Sequence, residues 1–434
     1  MSLRYTEMHQ LGEPADELSG FFYKGDMAEE LPELLNDWHE KLQLVYLDPP
    51  FFTGRNFTFR QRVGEEGWRG NQKHLIVHQA YSDKWKSRDS FLKMLRNALT
   101  LSYQALKPEG SIFLHLDYRY SPYARLLMDE IFGENNFLNE IIWVYQSGGR
   151  AKRYFSRKHD TILFYRKSDK HYFNPEAVGK PRGKVQRNHM KRRVDEEGRT
   201  FWSIRSGGRI YRYYEDSKVY LSDVWDDISH LQQKDPERTG YDTQKPEALL
   251  ERIILAASRQ GDWIGDFFAG SGTTMAAAQK NGRKWIGMDS GDFSINVCRK
   301  RMLQCQGKGF FTLYDPSIKV QKYEENKNRV KLEIKQVCDL ITDRAIDIRL
   351  LDYHSPVKSE LAGHFSDYID YWAVGHLKNG KFISEQHSFR TPSCTKLQAS
   401  LSLSVDAREE GTDAVALHLI DIYGEQLLLS LEDV

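Results

Sequence analysis

The apolar run Leu42-Gln43-Leu44-Val45-Tyr46-Leu47 stops at Asp48-Pro49-Pro50-Phe51. So short a run, ended by two prolines, reads as a buried strand whose C-terminal end opens into a loop. Near-continuous apolar strands belong to parallel sheets covered by helices on both faces. The rest of the chain supplies such covers. Helical spacing predicts helices at about 27–38, 89–106, 123–132, 246–258 and 294–304. Between them, runs at 20–26, 111–116, 141–145, 161–165, 263–267 and 284–288 read as strands. The expected fold class is therefore α/β, with a mostly parallel sheet. The polar, glycine-punctuated stretch 52–88 reads as a long loop of the kind that covers a site.

A second strand end carries Asp266-Phe267-Phe268-Ala269-Gly270-Ser271-Gly272-Thr273-Thr274. Glycines at such a turn let the backbone approach a ligand, and the following helix offers free N–H groups. About twenty residues on, Gly287-Met288-Asp289 ends the next strand. An acid there can accept from both hydroxyls of a ribose. Together they point to a cofactor containing adenosine. A phosphate loop is disfavoured, because no Lys follows the last glycine, and the pattern is not G-x-G-x-x-G either.

Asp48-Pro49-Pro50-Phe51 suits chemistry on an amino group. The Asp48 carboxylate and the Pro49 carbonyl can each accept one amino proton, and the prolines, Pro50 included, hold both acceptors in place. Phe51 offers a face on which a base can stack. Two acceptors would localise the nitrogen lone pair, and the carboxylate would stabilise the positive charge that grows during attack on a methyl donor.

Charge is uneven along the chain. From about 150 to 218 basic residues exceed acidic ones by about twelve, whereas from 330 onward acids lead by about seven. The basic stretch, with interleaved aromatics, suits a polyanion, and Arg187, Lys191, Arg192 and Arg193 are the candidates for phosphate contacts. Alternating runs near 346–350 and 397–403 predict a C-terminal all-β domain, with an immunoglobulin-like sandwich as the expected form. Four cysteines make no disulfide framework, and Cys298 and Cys305 read as packing residues of one helix. No apolar run approaches the ~20 residues of a membrane span, and the first residues lack an apolar signal core. A cytoplasmic protein without a membrane partner is expected.

The two motifs together resemble the β class of amino-group DNA methyltransferases, which includes modification subunits of type III restriction systems and many solitary adenine methyltransferases. The similarity covers roughly 20–310 and rests on Tyr23-Lys24-Gly25-Asp26, Tyr46-Leu47-Asp48-Pro49-Pro50-Phe51, Leu127-Met128-Asp129-Glu130-Ile131-Phe132-Gly133, Thr243-Gln244-Lys245-Pro246 and the glycine loop. The resemblance implies a permuted Rossmann-like fold, with a seven-stranded sheet containing one antiparallel strand. It implies S-adenosylmethionine as cofactor. Asp26 would bind the cofactor's adenine amino group, and Asp289 its ribose. Thr243, Lys245 and Pro246 would hold its methionine end together with Asp266, Phe268, Ala269, Gly270, Ser271, Gly272 and Thr273. Phe267 and Asp289 depart from residues common in the family, Pro and Glu.

The implied activity is methylation of adenine N6 in a specific DNA sequence, with the base flipped out of the duplex. The rival readings are a cytosine-N4 or RNA amino-methyltransferase, and a catalytically silent DNA-binding module. The implied organisation is a methyltransferase domain in two parts, 1–145 and 243–316, around a target-recognition region at 146–242. A linker at 317–330 leads to the all-β domain at 331–434. DNA is the expected partner; a homodimer and a separate restriction subunit stay open.

Overall fold

The computed structural model describes residues 6–11, 13–27, 29, 36–65, 74–145, 151–182, 190–305, 307–337, 345–391, 394–404 and 412–431. Most of the helix expected at 27–38 lies outside them. The strands of the first part are β1 (Glu7–Gln10), β2 (Glu13–Lys24), β3 (Leu42–Leu47), β4 (Asn56–Arg62), β5 (Leu75–Ser82), β6 (Leu106–Leu116), β7 (Phe137–Val144) and β8 (His159–Arg166). Helices α1 (Arg88–Ala105) and α2 (Ser121–Phe132) lie among them. Next come three strands, β9 (Lys191–Val194), β10 (Thr200–Ser206) and β11 (Arg209–Tyr214). Then follow α3 (Glu247–Ala257), β12 (Trp263–Asp266), α4 (Thr273–Lys280), β13 (Lys284–Asp289), α5 (Ser294–Gln304) and β14 (Lys308–Tyr314). The last part holds β15 (Val330–Val337), β16 (Ala345–Tyr353), β17 (Ile369–Lys378), β18 (Lys381–Phe389), β19 (Ser400–Ser404), β20 (Thr412–Asp421) and β21 (Gln426–Leu431).

β3 sits at the centre because all of its residues are buried. Leu44 and Tyr46 enter one apolar layer, with Leu250 and Ile254 of α3 and Met275 of α4. Val45 and Leu47 enter the other, with Leu95 and Leu99 of α1 and Met128 of α2. Only a strand covered on both faces needs so few polar positions. The helix-covered part of the sheet runs β7-β8-β6-β3-β12-β13-β2, and β8 alone is antiparallel to its neighbours there. This is the seven-stranded arrangement that the resemblance implies. The C-terminal ends of β3, β12 and β13 open on one edge, where their loops meet.

The sheet does not stop there. β14 continues it beside β2, and β1 lies antiparallel to β14 on one side and parallel to β18 on the other. The order goes on through β17, β20 and β21, so one sheet crosses both halves of the molecule. The smaller sheet β15-β16-β19 packs on its far side around Trp372, Val374, Leu417 and Leu429. An isolated immunoglobulin-like sandwich has no such continuation. The segment 317–330 also differs from a free linker: Val320–Lys322 pairs parallel with β21, and a 3-10 turn follows at Tyr323–Asn326. The junction is fastened by buried charge. Glu7 of β1 accepts from Arg299 of α5 at 2.8 Å and meets His9 at 3.0 Å, and all three are fully buried.

A further expectation needs correction. Residues 52–88 are not one long loop, because β4 and β5 form a hairpin. Apolar and polar residues alternate only loosely across it, which hides it from a period-2 reading. Within the basic region, β9, β10 and β11 make a small antiparallel sheet. No described helix is long and apolar enough to cross a membrane.

Candidate active site

β12 and β13 run in register, with Asp266 beside Gly287, so their end loops are neighbours. The glycine loop folds back over β13. Ala269 N–H donates to Met288 O at 3.0 Å, and Gly270 N–H donates to Asp289 Oδ2 at 2.7 Å. The other oxygen of Asp289 accepts from Gly291 N–H at 2.7 Å. Gly270 and Gly272 have φ of 50° and 76°, the left-handed region that costs glycine least. At Gly272 a Cβ would also stand 3.1 Å from Cys298 Sγ. Cys298 and Cys305 are both buried, as packing residues should be.

Asp266 is the buried anchor of this loop. It accepts from Phe268 N–H at 3.0 Å and from the Thr274 hydroxyl at 2.5 Å. Burial pushes its carboxyl up to about 7, against the pull of those bonds, and the charges of Asp48 and Asp289 push the same way. Burial likewise raises Asp289, opposed by the Gly291 and Gly270 amides.

A cavity of about 380 Å³ lies over these loops. Among the described residues, five aspartates line it (Asp26, Asp48, Asp266, Asp289 and Asp292), against one cationic side chain, Lys245. Phe268, Ala269, Gly270, Ser271, Thr273 and Thr243 complete much of its wall. Gly272 and Pro246 do not line it. Gly272 is the turn residue before α4, and Pro246 is the extended N-cap of α3. A smaller pocket of about 60 Å³ adjoins, with Met27, Met94, Ala98 and Phe268 around it and Asp26 at its rim. The β4–β5 hairpin roofs the main cavity through Ala80, Tyr81 and Ser82, and Asp242 ties the hairpin down by accepting from Thr58 N–H and Arg60.

The Asp48 loop borders the same cavity, which Asp48 and Pro50 line directly. Pro49 and Phe51 are not among its lining residues; Phe51 is half-buried, with its ring 5.9 Å from that of His115. Lys245, expected at the cofactor's methionine end, lines the cavity, pairs with Asp48 Oδ2 and lies 5.3 Å from the centre of the Phe51 ring. Asp83, fully buried after β5, holds the loop from outside. Its carboxylate accepts from Phe52 N–H at 2.8 Å, from Thr53 N–H at 2.7 Å and from the Thr53 hydroxyl at 2.8 Å. These bonds keep Phe52 at a φ of 55°, unusual for a residue with a side chain.

Under Phe51 runs a polar relay drawn from four strand ends. Tyr46 Oη lies 2.8 Å from His115 Nδ1, and His115 Nε2 lies 3.3 Å from Asp160 Oδ2. A carboxylate can only accept, so Nε2 carries the proton and Nδ1 accepts from Tyr46. The Tyr145 hydroxyl donates to the other Asp160 oxygen at 3.1 Å. Burial raises the Asp160 carboxyl, but His115, Lys245 and Tyr145 together hold it below the usual range. Asp83, His115, Tyr145 and Asp160 were not legible as site residues, because no local spacing marks them.

Residues 42–300 match the family model described as DNA methylase. The chain belongs to that family. This DNA methylase is 27% identical over 308 residues to the type II methyltransferase M.EcaI of Enterobacter cloacae, covering 60% of this chain and 65% of that one. It is 29% identical over 277 residues to the DNA adenine methyltransferase YhdJ of Escherichia coli strain K12, covering 63% and 81%. It is 24% identical over 326 residues to the Mod subunit of the type III restriction-modification enzyme StyLTI of Salmonella typhimurium, covering 59% and 49%. The methylase therefore spans somewhat under two thirds of the first relative and about half of the third.

Apart from the cavity, β9 stands out among the described strands as strongly basic. Lys191, Arg192 and Arg193 are all exposed on β9, an edge of the small sheet. Arg205, Arg209 and Arg212 extend the basic surface across β10 and β11. Arg187 lies outside the described residues.

Proposed function

We propose that this methylase transfers a methyl group from S-adenosylmethionine to the N6 amino group of adenine in DNA. The observation that carries the reading is Asp48 itself: a carboxylate paired with Lys245 on the wall of an anionic cavity that the glycine loop also lines. The cavity fits the cofactor. Five aspartates suit a ligand bearing sulfonium and ammonium charges and repel a phosphate. The adjoining slot between Met27, Met94 and Phe268 suits a flat purine, with Asp26 placed to accept from its amino group. Asp289 keeps a second lone pair on each oxygen for ribose hydroxyls. Bound there, the cofactor supplies an electrophilic methyl on sulfur.

The chain's own residues do the rest. Asp48 and the Pro49 carbonyl accept the two amino protons, which localises the nitrogen lone pair. Phe51 stacks on the extruded base. Positive charge grows on the nitrogen during attack, and the nearby carboxylate stabilises it in a site that the hairpin partly covers. After transfer the surplus proton has Asp48 as its first acceptor. Lys191, Arg192 and Arg193 neutralise phosphates of the bound DNA. The Mod relative supports a restriction subunit as a further partner, and DNA in the cytoplasm is the expected place of work.

Incubation with DNA and cofactor, followed by mass analysis of the nucleosides, tests the reading. N6-methyladenine is expected. N4-methylcytosine would overturn the choice of base, and absence of any transfer would overturn the activity.

A further inference from the structure

The loop between β7 and β8 carries an apolar side chain with almost no protein around it. Phe155 is 98% exposed, whereas the other exposed large apolar residues among those described reach 63% at most. The loop is nonetheless anchored. Arg157 stacks on two rings, 4.2 Å from the centre of Tyr118 and 4.8 Å from that of Tyr154. Ala151 N–H donates to Ser156 Oγ at 3.0 Å across the tip, and Tyr145 N–H donates to Lys158 O at 2.9 Å at the base.

That base stands beside the catalytic loop. β8 starts at His159, and the next residue, Asp160, reaches His115 beneath Phe51. Tyr118, the platform for Arg157, lies just past the end of β6 on the same edge of the sheet. Phe155 is thus displayed on the sheet edge that carries the Asp48 loop, in a stretch that also holds Lys152, Arg153, Arg157 and Lys158. An apolar tip framed by cations matches a base stack framed by phosphates.

We propose that Phe155 is a wedge that enters the duplex beside the target adenine and occupies the stacking position it leaves. The Arg157 clamp between Tyr118 and Tyr154 holds the wedge in place. The proposal rests on the functional reading above. An aromatic face replaces part of the stacking lost when the base is extruded, so the extruded state is more populated. Phe155 touches neither cofactor nor methyl group and acts on the substrate's conformation alone.

The test uses the full chain, the methylation site mapped on plasmid DNA, and two oligonucleotide duplexes carrying that site. One is fully paired; the other is abasic opposite the target adenine, so that extrusion is already easier. Phe155→Ala should lower turnover on the paired duplex by about tenfold or more, and on the abasic duplex by no more than about threefold. Phe155→Leu should recover part of the loss, and cofactor affinity by calorimetry should match wild type. Wild-type turnover on both duplexes is the control for the functional reading; its absence overturns that reading rather than the wedge. Given wild-type turnover, an unchanged Phe155→Ala rate on the paired duplex overturns the wedge. So does an equal loss on both duplexes, which would place Phe155 on the flipped base itself.

Discussion

Lys245 and Asp48 form an ion pair across 197 residues of chain, with side chains only 13% and 16% exposed. The pair holds the Asp48 carboxylate at one orientation on the cavity wall. It also means that the incoming amino group meets an acceptor that already has one donor. A carboxylate can accept several hydrogen bonds, so both can be served at once.

Removal of Asp48 should therefore separate chemistry from binding. Asp48→Ala is expected to lower kcat by about 10²–10³, the usual cost of removing a group that stabilises transition-state charge. It also leaves Lys245 unpaired beside a cationic cofactor, so affinity should fall several-fold. Asp48→Ala combined with Lys245→Met should restore the affinity but not the turnover. Calorimetry with S-adenosylmethionine and a methyl-transfer assay check both halves.

Asp83 acts at one remove, through the backbone of the loop. Asp83→Ala leaves the Phe52 and Thr53 N–H groups without their acceptor, and each buried orphan costs about 1–3 kcal/mol. The loop should relax from its left-handed turn at Phe52. A displacement of about 1 Å at the acceptors corresponds to a loss near 10² in kcat. Asp83→Asn keeps one acceptor oxygen and should lose less. Cofactor affinity should not change in either variant, and a parallel fall in affinity would point to general collapse of the site.

Asp266 makes cofactor binding depend on pH. Burial raises its folded carboxyl to about 7, above the ~3.9 of an unfolded aspartate. Its contribution to stability is thus full below about 4 and is lost as pH rises through 7. His9 works in the opposite direction: burial lowers it from 6.5 to about 4, so its contribution is lost as pH falls from 6.5 towards 4. The two oppose each other in thermal unfolding, but ligand binding separates them, because only Asp266 lines the cavity. Affinity for the cationic cofactor should weaken below pH 7, by up to about tenfold per unit, and binding near pH 7 should release a proton. Asp266→Asn should flatten the profile. Calorimetry in buffers of different ionisation enthalpy reads both effects.

DNA binding should fall steeply with salt. If Lys191, Arg192 and Arg193 each neutralise one phosphate, replacing all three by Ala lowers the slope of log K against log salt by about 2.7. Fluorescence anisotropy with a labelled duplex over a salt series measures it. An unchanged slope would remove β9 from the interface.

The central strand, the Asp48-Pro49-Pro50-Phe51 stop, the glycine loop and Asp289 could all be found in the amino-acid string. Each is a local pattern: a run of burial, a turn residue, or a fixed distance to the next strand end. Residues 294–304 were legible as a helix for the same reason, because burial of Cys298 and Met302 repeats at helical spacing. What Lys245 touches was not legible, nor was the support that Asp83, His115 and Asp160 give to the catalytic loop. Those contacts join the ends of strands far apart in sequence, and they depend on which strands are neighbours in the sheet. The role of β1 is of the same kind. Its four residues look ordinary, yet only their place between β14 and β18 makes one sheet of two halves. Local patterning determined which segments are buried and which turns can approach a ligand. Tertiary packing alone decided which charges meet, because pairing between distant side chains leaves no period in the sequence.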